Sequence, residues 1–267
     1  MLRVIALVLL LGSTPLLTAQ ATNMAAAPSA DAASAADAAA AQHLLEWRRS
    51  RADLPNDWGE LAYFRADNTR LSALPADPER VVFFGDSITN MWMLDEYFPG
   101  KPYVNRGIGG QTTPQMLVRF RQDVIALHPR AVVILAGTND IAGNTGPMLD
   151  RDITANFMNL AELARANGIQ AIFCSITPVH NYTERSQDLF RQRPLARIQE
   201  LNRWLKEYCA ANHIPYIDYY SAMTGNDGRL RRELAEDGLH PNPAGYRIMA
   251  DLVTAALKNL PTSKPKP

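Results

Sequence analysis

Strand-like and helix-like patterns of apolar residues alternate five times along the chain. Short, nearly continuous apolar runs are typical of strands buried on both faces. Between them, apolar residues recur at every third or fourth position, which predicts amphipathic helices. We predict strands over 81–84, 103–105, 131–136, 169–176 and 214–217. We predict helices over about 58–71, 88–98, 112–127, 150–167, 194–212 and 242–257.

This alternation predicts an α/β fold with a five-stranded parallel sheet between two layers of helices. Each crossover between parallel strands should be right-handed. In open sheets of this kind, ligands bind outside the carboxyl ends of the strands. Chemistry-bearing residues that follow strands should therefore lie together at one edge. They are Ser87, the Gly107–Gly110 loop, Asn139, His180 and Asp218.

The N-terminal stretch has the composition of an exported protein. Arg3 carries a positive charge, Val4–Leu11 is an unbroken apolar run, and Ala19-Gln20-Ala21 is a small-x-small cleavage site, as in a secretory signal peptide. The alternative is an uncleaved anchor, although a membrane-spanning helix needs roughly 20 apolar residues. We expect export to the periplasm or the medium. The expected organisation is a signal peptide over 1–21, an Ala-rich flexible linker over 22–41, a folded domain over 42–260 and a C-terminal tail over 261–267.

The charge balance argues against two classes of partner. The chain has 27 Lys and Arg residues against 27 Asp and Glu residues. A neutral chain has no overall field to attract nucleic acid or an anionic membrane surface. We therefore expect no nucleic-acid partner and no integral membrane association once the signal peptide is removed.

Two cysteines, Cys174 and Cys209, fall on a predicted strand and a predicted helix. We interpret both as small buried apolar residues. A disulfide between them stays open as an alternative, because exported proteins form disulfides and spacing alone does not give the required geometry.

A serine stands where the first predicted strand meets a predicted helix. Val81–Phe84 runs into Gly85-Asp86-Ser87, so the Ser87 hydroxyl lies at a strand end beside backbone N–H groups that stabilise negative charge. Far along the chain, Asp237 precedes His240 by three residues. Its carboxylate can accept from one ring nitrogen and leave the other to take the Ser87 proton. The pattern predicts a nucleophile, a base and an orienting carboxylate.

Acyl transfer also needs hydrogen-bond donors for the oxyanion of the tetrahedral intermediate. Three candidates are the Ser87 N–H, a backbone N–H within 106–110 and the Asn139 side-chain amide. Each has a structural alternative: a turn at Gly-Asp-Ser, a turn-forming Asn, and a helix cap or two metal ligands at Asp237 and His240. The sequence offers no convincing third ligand, so we expect no metal.

Taken together, four motif blocks resemble the GDSL or SGNH hydrolase family. They are Gly85-Asp86-Ser87, with Ile88 where the family has Leu, then Asn105–Gly110, Gly137–Asp140 and Asp237–Asn242. The resemblance implies Ser87 as the nucleophile, His240 as the base and Asp237 as its orienter. It also implies an oxyanion hole formed by Ser87, Gly110 and Asn139, and a flavodoxin-like three-layer α/β/α fold without a cofactor.

The substrate is expected from weaker indications. The Asn105–Thr113 segment resembles the acetylhydrolase branch, near platelet-activating-factor acetylhydrolases and bacterial carbohydrate acetylesterases. Residues 177–193 form a polar loop that suits a sugar-like acceptor or is a solvated surface loop. We predict an acetylesterase for short acyl esters such as O-acetylated carbohydrate, with Asp86 and His180 contacting the substrate. The alternatives are a lysophospholipase or thioesterase, and a carbohydrate-binding module on a hydrolase scaffold.

Overall fold

The computed structural model describes residues 56–75 and 77–260. The predicted signal peptide, linker and C-terminal tail lie outside the described residues. Within the described part, no helix is long and apolar enough to cross a membrane. The strands are β1 Val81–Gly85, β2 Tyr103–Gly107, β3 Ala131–Leu135, β4 Gln170–Cys174 and β5 Tyr216–Ile217. The α-helices are α1 Arg65–Ser72, α2 Ser87–Asn90, α3 Leu94–Tyr97, α4 Thr113–Asp123, α5 Thr138–Ile141, α6 Asp150–Ala166, α7 Ser186–Gln192, α8 Leu195–Ala211, α9 Tyr219–Met223 and α10 Pro243–Lys258, with short 3₁₀ turns at Ile125–Leu127 and Arg232–Leu234.

All five strands run parallel, in the order β2-β1-β3-β4-β5. Gly85 at the end of β1 pairs with Gly107 of β2 and with Leu135 of β3. This is the flavodoxin-like order, in which the crevice for ligands opens at the switch point between β1 and β3. The predicted three-layer α/β/α fold is confirmed.

Alternate side chains of β1 face opposite helical layers, as the two-residue period of a strand requires. Val82 and Phe84 pack into one layer and Val81 and Phe83 into the other, and all four are at most 1% exposed. The first layer includes Phe120, Phe157 and Leu201. The second includes Trp92, Met249 and Val253.

The two cysteines belong to different layers of the core. Cys209 packs in the layer of Phe84 and Cys174 in the layer of Phe83. Both thiols are buried and free. Our interpretation of the cysteines as small apolar core residues is therefore confirmed, and the structure contains no bridge between them.

Two predicted helices are shorter than their apolar spacing suggested. The predicted helix 88–98 is split into α2 and α3, because the Asn105 side chain donates to the carbonyls of Thr89 and Trp92 at 2.6 and 3.0 Å. The predicted helix 58–71 begins only at Arg65, after a series of turns. The Asp57 carboxylate accepts from two backbone N–H groups in those turns, which competes with helix formation.

The polar loop 177–193 contains a helix that the sequence did not reveal. Helix α7 covers Ser186–Gln192 and ends before Arg193, which precedes Pro194. A residue before proline is biased away from the helical region, and Arg193 has φ −127° and ψ 71°. This break turns the Arg193 side chain inward, toward the carboxyl edge of the sheet.

Candidate active site

The serine, histidine and aspartate predicted from sequence form one continuous chain of hydrogen bonds. Ser87 begins α2 directly after β1, and its Oγ lies 2.8 Å from Nε2 of His240, 153 positions away. Nδ1 of His240 lies 2.6 Å from Oδ2 of Asp237. Because an ionised carboxylate only accepts, the proton belongs on Nδ1, and Nε2 is left to accept from the serine hydroxyl.

The Asp237 carboxylate holds the backbone of its own loop as well as the imidazole. Its Oδ1 accepts from the N–H groups of Leu239 and His240 at 2.9 and 2.8 Å. Burial alone would raise the pKa of Asp237, but the bonds from the His240 ring and these N–H groups outweigh it and hold that pKa far below its ordinary value. The carboxylate therefore stays ionised beside the imidazole.

The loop after β2, residues 107–111, passes directly beside the predicted nucleophile Ser87, and we call it the donor loop. A Cβ added to Gly109 would lie 3.8 Å from Cβ of Ser87. Among the described residues, no acceptor is found for the N–H of Ser87 or Gly110, whereas most of the loop's other N–H groups are used. Those with acceptors, at 2.8, 3.0 and 3.4 Å, are Gly107, Ile108 and Gln111.

The Asn139 side chain reaches the same loop from α5. It is 3% exposed, and its Nδ2 donates to the Gln111 carbonyl at 3.0 Å. Its Oδ1 accepts from Nη2 of Arg193 at 3.2 Å. An amide nitrogen carries two hydrogens, so one is left for a further acceptor. The predicted oxyanion donors Gly110 and Asn139 thus belong to one connected group.

The family model for the GDSL-like lipase/acylhydrolase family matches residues 83–248, which include all four motif blocks. The chain belongs to this family. A solved GDSL-like lipase from Bacteroides thetaiotaomicron VPI-5482 is 36% identical, with a TM-score of 0.68; the alignment covers 75% of this chain and 98% of that chain. The resemblance noted in the sequence is therefore confirmed.

The chain is similar to two curated relatives over only part of their length. An N-acylneuraminate cytidylyltransferase of Streptococcus agalactiae serotype III is 33% identical over 160 residues, which is 60% of this chain and 34% of the relative. The chain thus spans about a third of that relative's length. An acetylxylan esterase of Xylanibacter ruminicola is 26% identical over 228 residues, covering 70% of this chain and 45% of the relative.

Asp86, within the family's first motif block, caps a helix instead of facing the site. It is completely buried, and its Oδ1 accepts from the Ile88 N–H at 2.9 Å. Its Oδ2 has no partner among the described residues. Burial raises the pKa of Asp86 to about 6, against the lowering effect of the Ile88 bond. Our expectation of substrate contact by Asp86 is corrected, since no part of the side chain is accessible.

His180 is also corrected as a substrate contact. The His180 side chain is completely buried, and the His180 backbone N–H donates to the Gly238 carbonyl at 3.0 Å. Its Nδ1 accepts from the Tyr182 N–H at 3.2 Å. A Cβ on Gly238, whose φ is +87°, would lie 2.6 Å from the His180 carbonyl oxygen. His180 therefore supports the Asp237–His240 loop from behind.

A buried arginine that sequence reasoning missed joins the strand ends to the donor loop. Arg119 donates to the carbonyls of Gly85 and Arg106 at 2.9 Å each, and to Oε1 of Gln111 at 2.6 Å. Its ion pair with Asp123 is 3.0 Å long. Burial lowers the pKa of Arg119 to about 10, although Asp123 opposes the shift. Its place on the apolar face of predicted helix 112–127 was the available indication.

Asp140 fastens the third motif block to the start of α4. Its carboxylate accepts from the Thr113 N–H at 3.0 and 3.1 Å, and also from the Thr113 hydroxyl. Burial raises the pKa of Asp140 to about 6, with the Thr113 bonds opposing it. Asp140 therefore fixes the distance between α5, which carries Asn139, and the donor loop.

A separate groove of about 520 Å³ lies at the opposite edge of the sheet. Its lining includes Arg130, Arg165, Tyr208 and His213, and none of the described residues that line it is a serine, threonine or cysteine. The sequence predicted a site at the carboxyl ends of the strands, and Ser87, His240 and Asn139 come together there. Within 56–75 and 77–260, no group of three or more His, Cys, Asp or Glu side chains is arranged to hold a metal ion.

Proposed function

We propose that the protein is a serine carboxylic ester hydrolase in which Ser87 is the nucleophile, His240 the general base and Asp237 the residue that orients the imidazole. One observation carries the proposal: the continuous chain from Ser87 Oγ to His240 to Asp237, with links of 2.8 and 2.6 Å. Family membership supports the same chemistry. The distances lie within the range expected of a nucleophile and its base.

In the proposed reaction, Ser87 Oγ attacks the ester carbonyl carbon while His240 Nε2 takes its proton. A positioned base of this kind contributes about 10² to 10⁴-fold in rate. The negative charge that develops on the carbonyl oxygen is stabilised by the N–H groups of Ser87 and Gly110 and by the Asn139 amide. The alcohol leaves with the proton from His240, and a water activated by the same imidazole hydrolyses the acyl-enzyme.

We infer that the substrate is a short acyl ester, such as an acetyl group on carbohydrate. The similarity to an acetylxylan esterase supports this substrate class. A lipolytic enzyme is the second candidate, because Met91 is 53% exposed and lies four residues after Ser87 on the same face of the α2 turn. Met93 is also exposed, at 61%. These side chains would contact a longer acyl chain.

The test is hydrolysis of p-nitrophenyl acetate by the wild type, by Ser87→Ala and by Ser221→Ala, an exposed serine at α9 that serves as the control. We expect Ser87→Ala to lose about 10⁶-fold in kcat, as when a serine nucleophile is removed elsewhere. Ser221→Ala should match the wild type. Equal activity of wild type and Ser87→Ala, or a wild type inactive on every ester while it binds a glycan, contradicts the proposal.

Two further substrate panels separate the candidate substrates. In a series of p-nitrophenyl esters, the acetylesterase proposal expects the highest kcat/KM at acetyl and a steady fall with chain length. Faster turnover at eight or more carbons would favour the lipolytic candidate. Released acetate from O-acetylated xylan and other acetylated sugars then identifies the acceptor.

Export is also our proposal, supported by the apolar run Val4–Leu11 and the small-x-small site that ends at Ala21. The full chain expressed in a Gram-negative host should yield a shortened mature protein in the periplasm or the medium. Mass spectrometry of its N-terminus should locate cleavage near Ala21. A full-length product retained in the membrane fraction would support the uncleaved anchor.

A further inference from the structure

Arg193 reaches the candidate oxyanion donors from outside the four motif blocks. It follows α7 and is 3% exposed. Its Nε donates to Oγ1 of Thr138 at 3.0 Å, and its Nη2 to Oδ1 of Asn139 at 3.2 Å. Its Nη1 donates to the Leu189 carbonyl at 3.3 Å, which ties the guanidinium to α7. The side chain is therefore held on both sides.

The contacts of Asn139 determine which way its amide faces. A guanidinium can only donate, and a backbone carbonyl can only accept. Arg193 therefore requires the amide oxygen on its side, and the Gln111 carbonyl requires the amide nitrogen on the other. A flipped amide would set NH₂ against the guanidinium and oxygen against a carbonyl, two repulsive contacts. Only the observed orientation leaves an Nδ2 hydrogen on the side of the donor loop.

We propose that Arg193 is a positioning residue for ester hydrolysis, which locks the Asn139 amide with its free Nδ2 hydrogen directed at the oxyanion. The inference rests on the proposed function, because it assigns a partner to one of the proposed donors. The amide is buried and held before the substrate arrives, so no reorganisation is needed as charge develops. Arg193 itself does not contact the reacting atoms.

The positive charge adds to this arrangement. Burial lowers the pKa of Arg193, while Asp86 and Asp237 favour its charged form. The charges of these two carboxylates therefore favour a charged guanidinium beside the Asn139 amide. In a buried setting, a hydrogen bond to a charged group is stronger than one between neutral groups. The amide is therefore anchored more firmly than a neutral partner would allow.

The test is a double-mutant cycle on p-nitrophenyl acetate turnover with Arg193→Met, Asn139→Ala and the pair. For Arg193→Met we expect kcat to fall roughly 10- to 100-fold with little change in KM, the loss of a charge-assisted hydrogen bond to a transition-state donor. In the Asn139→Ala background, the same substitution should change kcat by less than about threefold, because the group it positions is gone. Arg193→Lys retains a donor and should lie between the wild type and Arg193→Met.

The matched control is Arg197→Met. Arg197 donates to the Ile141 carbonyl of the same short helix at 3.2 Å and pairs with Asp150, but does not contact Asn139. Its kcat should stay within about threefold of the wild type, since it only supports the helix. If Arg193→Met does not fold, as judged by circular dichroism, Arg193→Lys takes its place in the cycle.

Three results would overturn the inference. The first is a kcat loss in the double mutant equal to the product of the two single losses. The others are an unchanged kcat in Arg193→Met, or a kcat loss in Arg197→Met as large as that in Arg193→Met. In each of these cases the wild type would still be active, and Ser87→Ala would still be inactive. Failure of the proposed function looks different, because Ser87→Ala would then retain activity.

Discussion

The two halves of the active site are held together in different ways. In the half that we propose moves protons, Asp237 and His240 stand three residues apart, and one carboxylate binds both the ring and the backbone of their loop. In the half that we propose stabilises charge, Asn139 and the donor loop depend on Arg119 and Arg193, which lie on other elements. The first half is built locally, and the second exists only once the layers have assembled.

Between these two halves, the largest expected effect is on the proposed proton-moving half. Asp237→Asn should lower kcat by about 10⁴-fold, because an amide can stabilise the wrong tautomer of His240 and cannot balance the imidazolium. The measurement is kcat for p-nitrophenyl acetate between pH 5 and 9. Asp251→Asn, at an exposed position of α10, is the control. A loss below tenfold would remove Asp237 from its proposed role.

The next effect is on stability rather than rate. Arg119→Met should reduce the free energy of unfolding by about 3–5 kcal/mol, since it leaves Asp123 as a buried carboxylate without its ion pair. Urea titration followed by fluorescence measures the change. Arg121→Met, exposed on the same helix α4, should be close to neutral. Equal stability of the two variants would mean that Arg119 does not join the strands to the donor loop energetically.

On the charge-stabilising half, Asn139→Ala should lower kcat by about 10² to 10³-fold with KM nearly unchanged, as for other oxyanion donors. Asn144→Ala sharpens the comparison. Asn144 is exposed and donates to the Gly110 carbonyl at 2.9 Å, so its loss should cost less than about tenfold. Steady-state kinetics of both variants decides the point. A KM effect alone in Asn139→Ala would indicate substrate binding instead of oxyanion stabilisation.

The smallest effect concerns Asp86, which caps the helix that begins at the proposed nucleophile. The pKa of Asp86 is raised to about 6 from an ordinary 3.8, so the folded protein binds its proton more tightly than the unfolded chain does. Stability should therefore fall as the pH rises from about 4 to 6, and Asp86→Asn should remove that loss.

At pH 7.5 we expect Asp86→Asn to raise the free energy of unfolding by at most about 3 kcal/mol, and by much less near pH 4. Urea unfolding at the two pH values tests this, with the exposed Asp95→Asn as the control. A variant less stable than the wild type at pH 7.5 would show that the charged cap is favourable.

The fold followed from the sequence because its evidence is periodic. Each buried strand is a short apolar run, and the alternation with helices leaves few topologies. Helix ends were harder, because they depend on distant side chains. Asn105 ends α2 from a neighbouring strand, and no local pattern near residue 90 reveals it.

The site divided along the same line. Ser87, Asp237, His240 and Asn139 were predicted from short motifs, and the family resemblance selected Gly110 within 106–110. Arg119 and Arg193 were missed because both act through contacts more than ten residues away in sequence. For Arg119, the one local indication was its position on the apolar face of a predicted helix. Arg193 had no local indication beyond the proline that follows it. The spacing of residues along the chain does not predict polar contacts between residues that are far apart in sequence.

The 177–193 segment has a consequence for anyone who would change the substrate range of this enzyme. Its first part lies against Gly238, where a side chain would strike the His180 carbonyl oxygen, and its last residue holds Asn139. A graft that replaces the whole loop would disturb the proposed base and the proposed oxyanion donor at once. Redesign should therefore keep both ends and vary only the exposed middle, around Glu184 and Gln187.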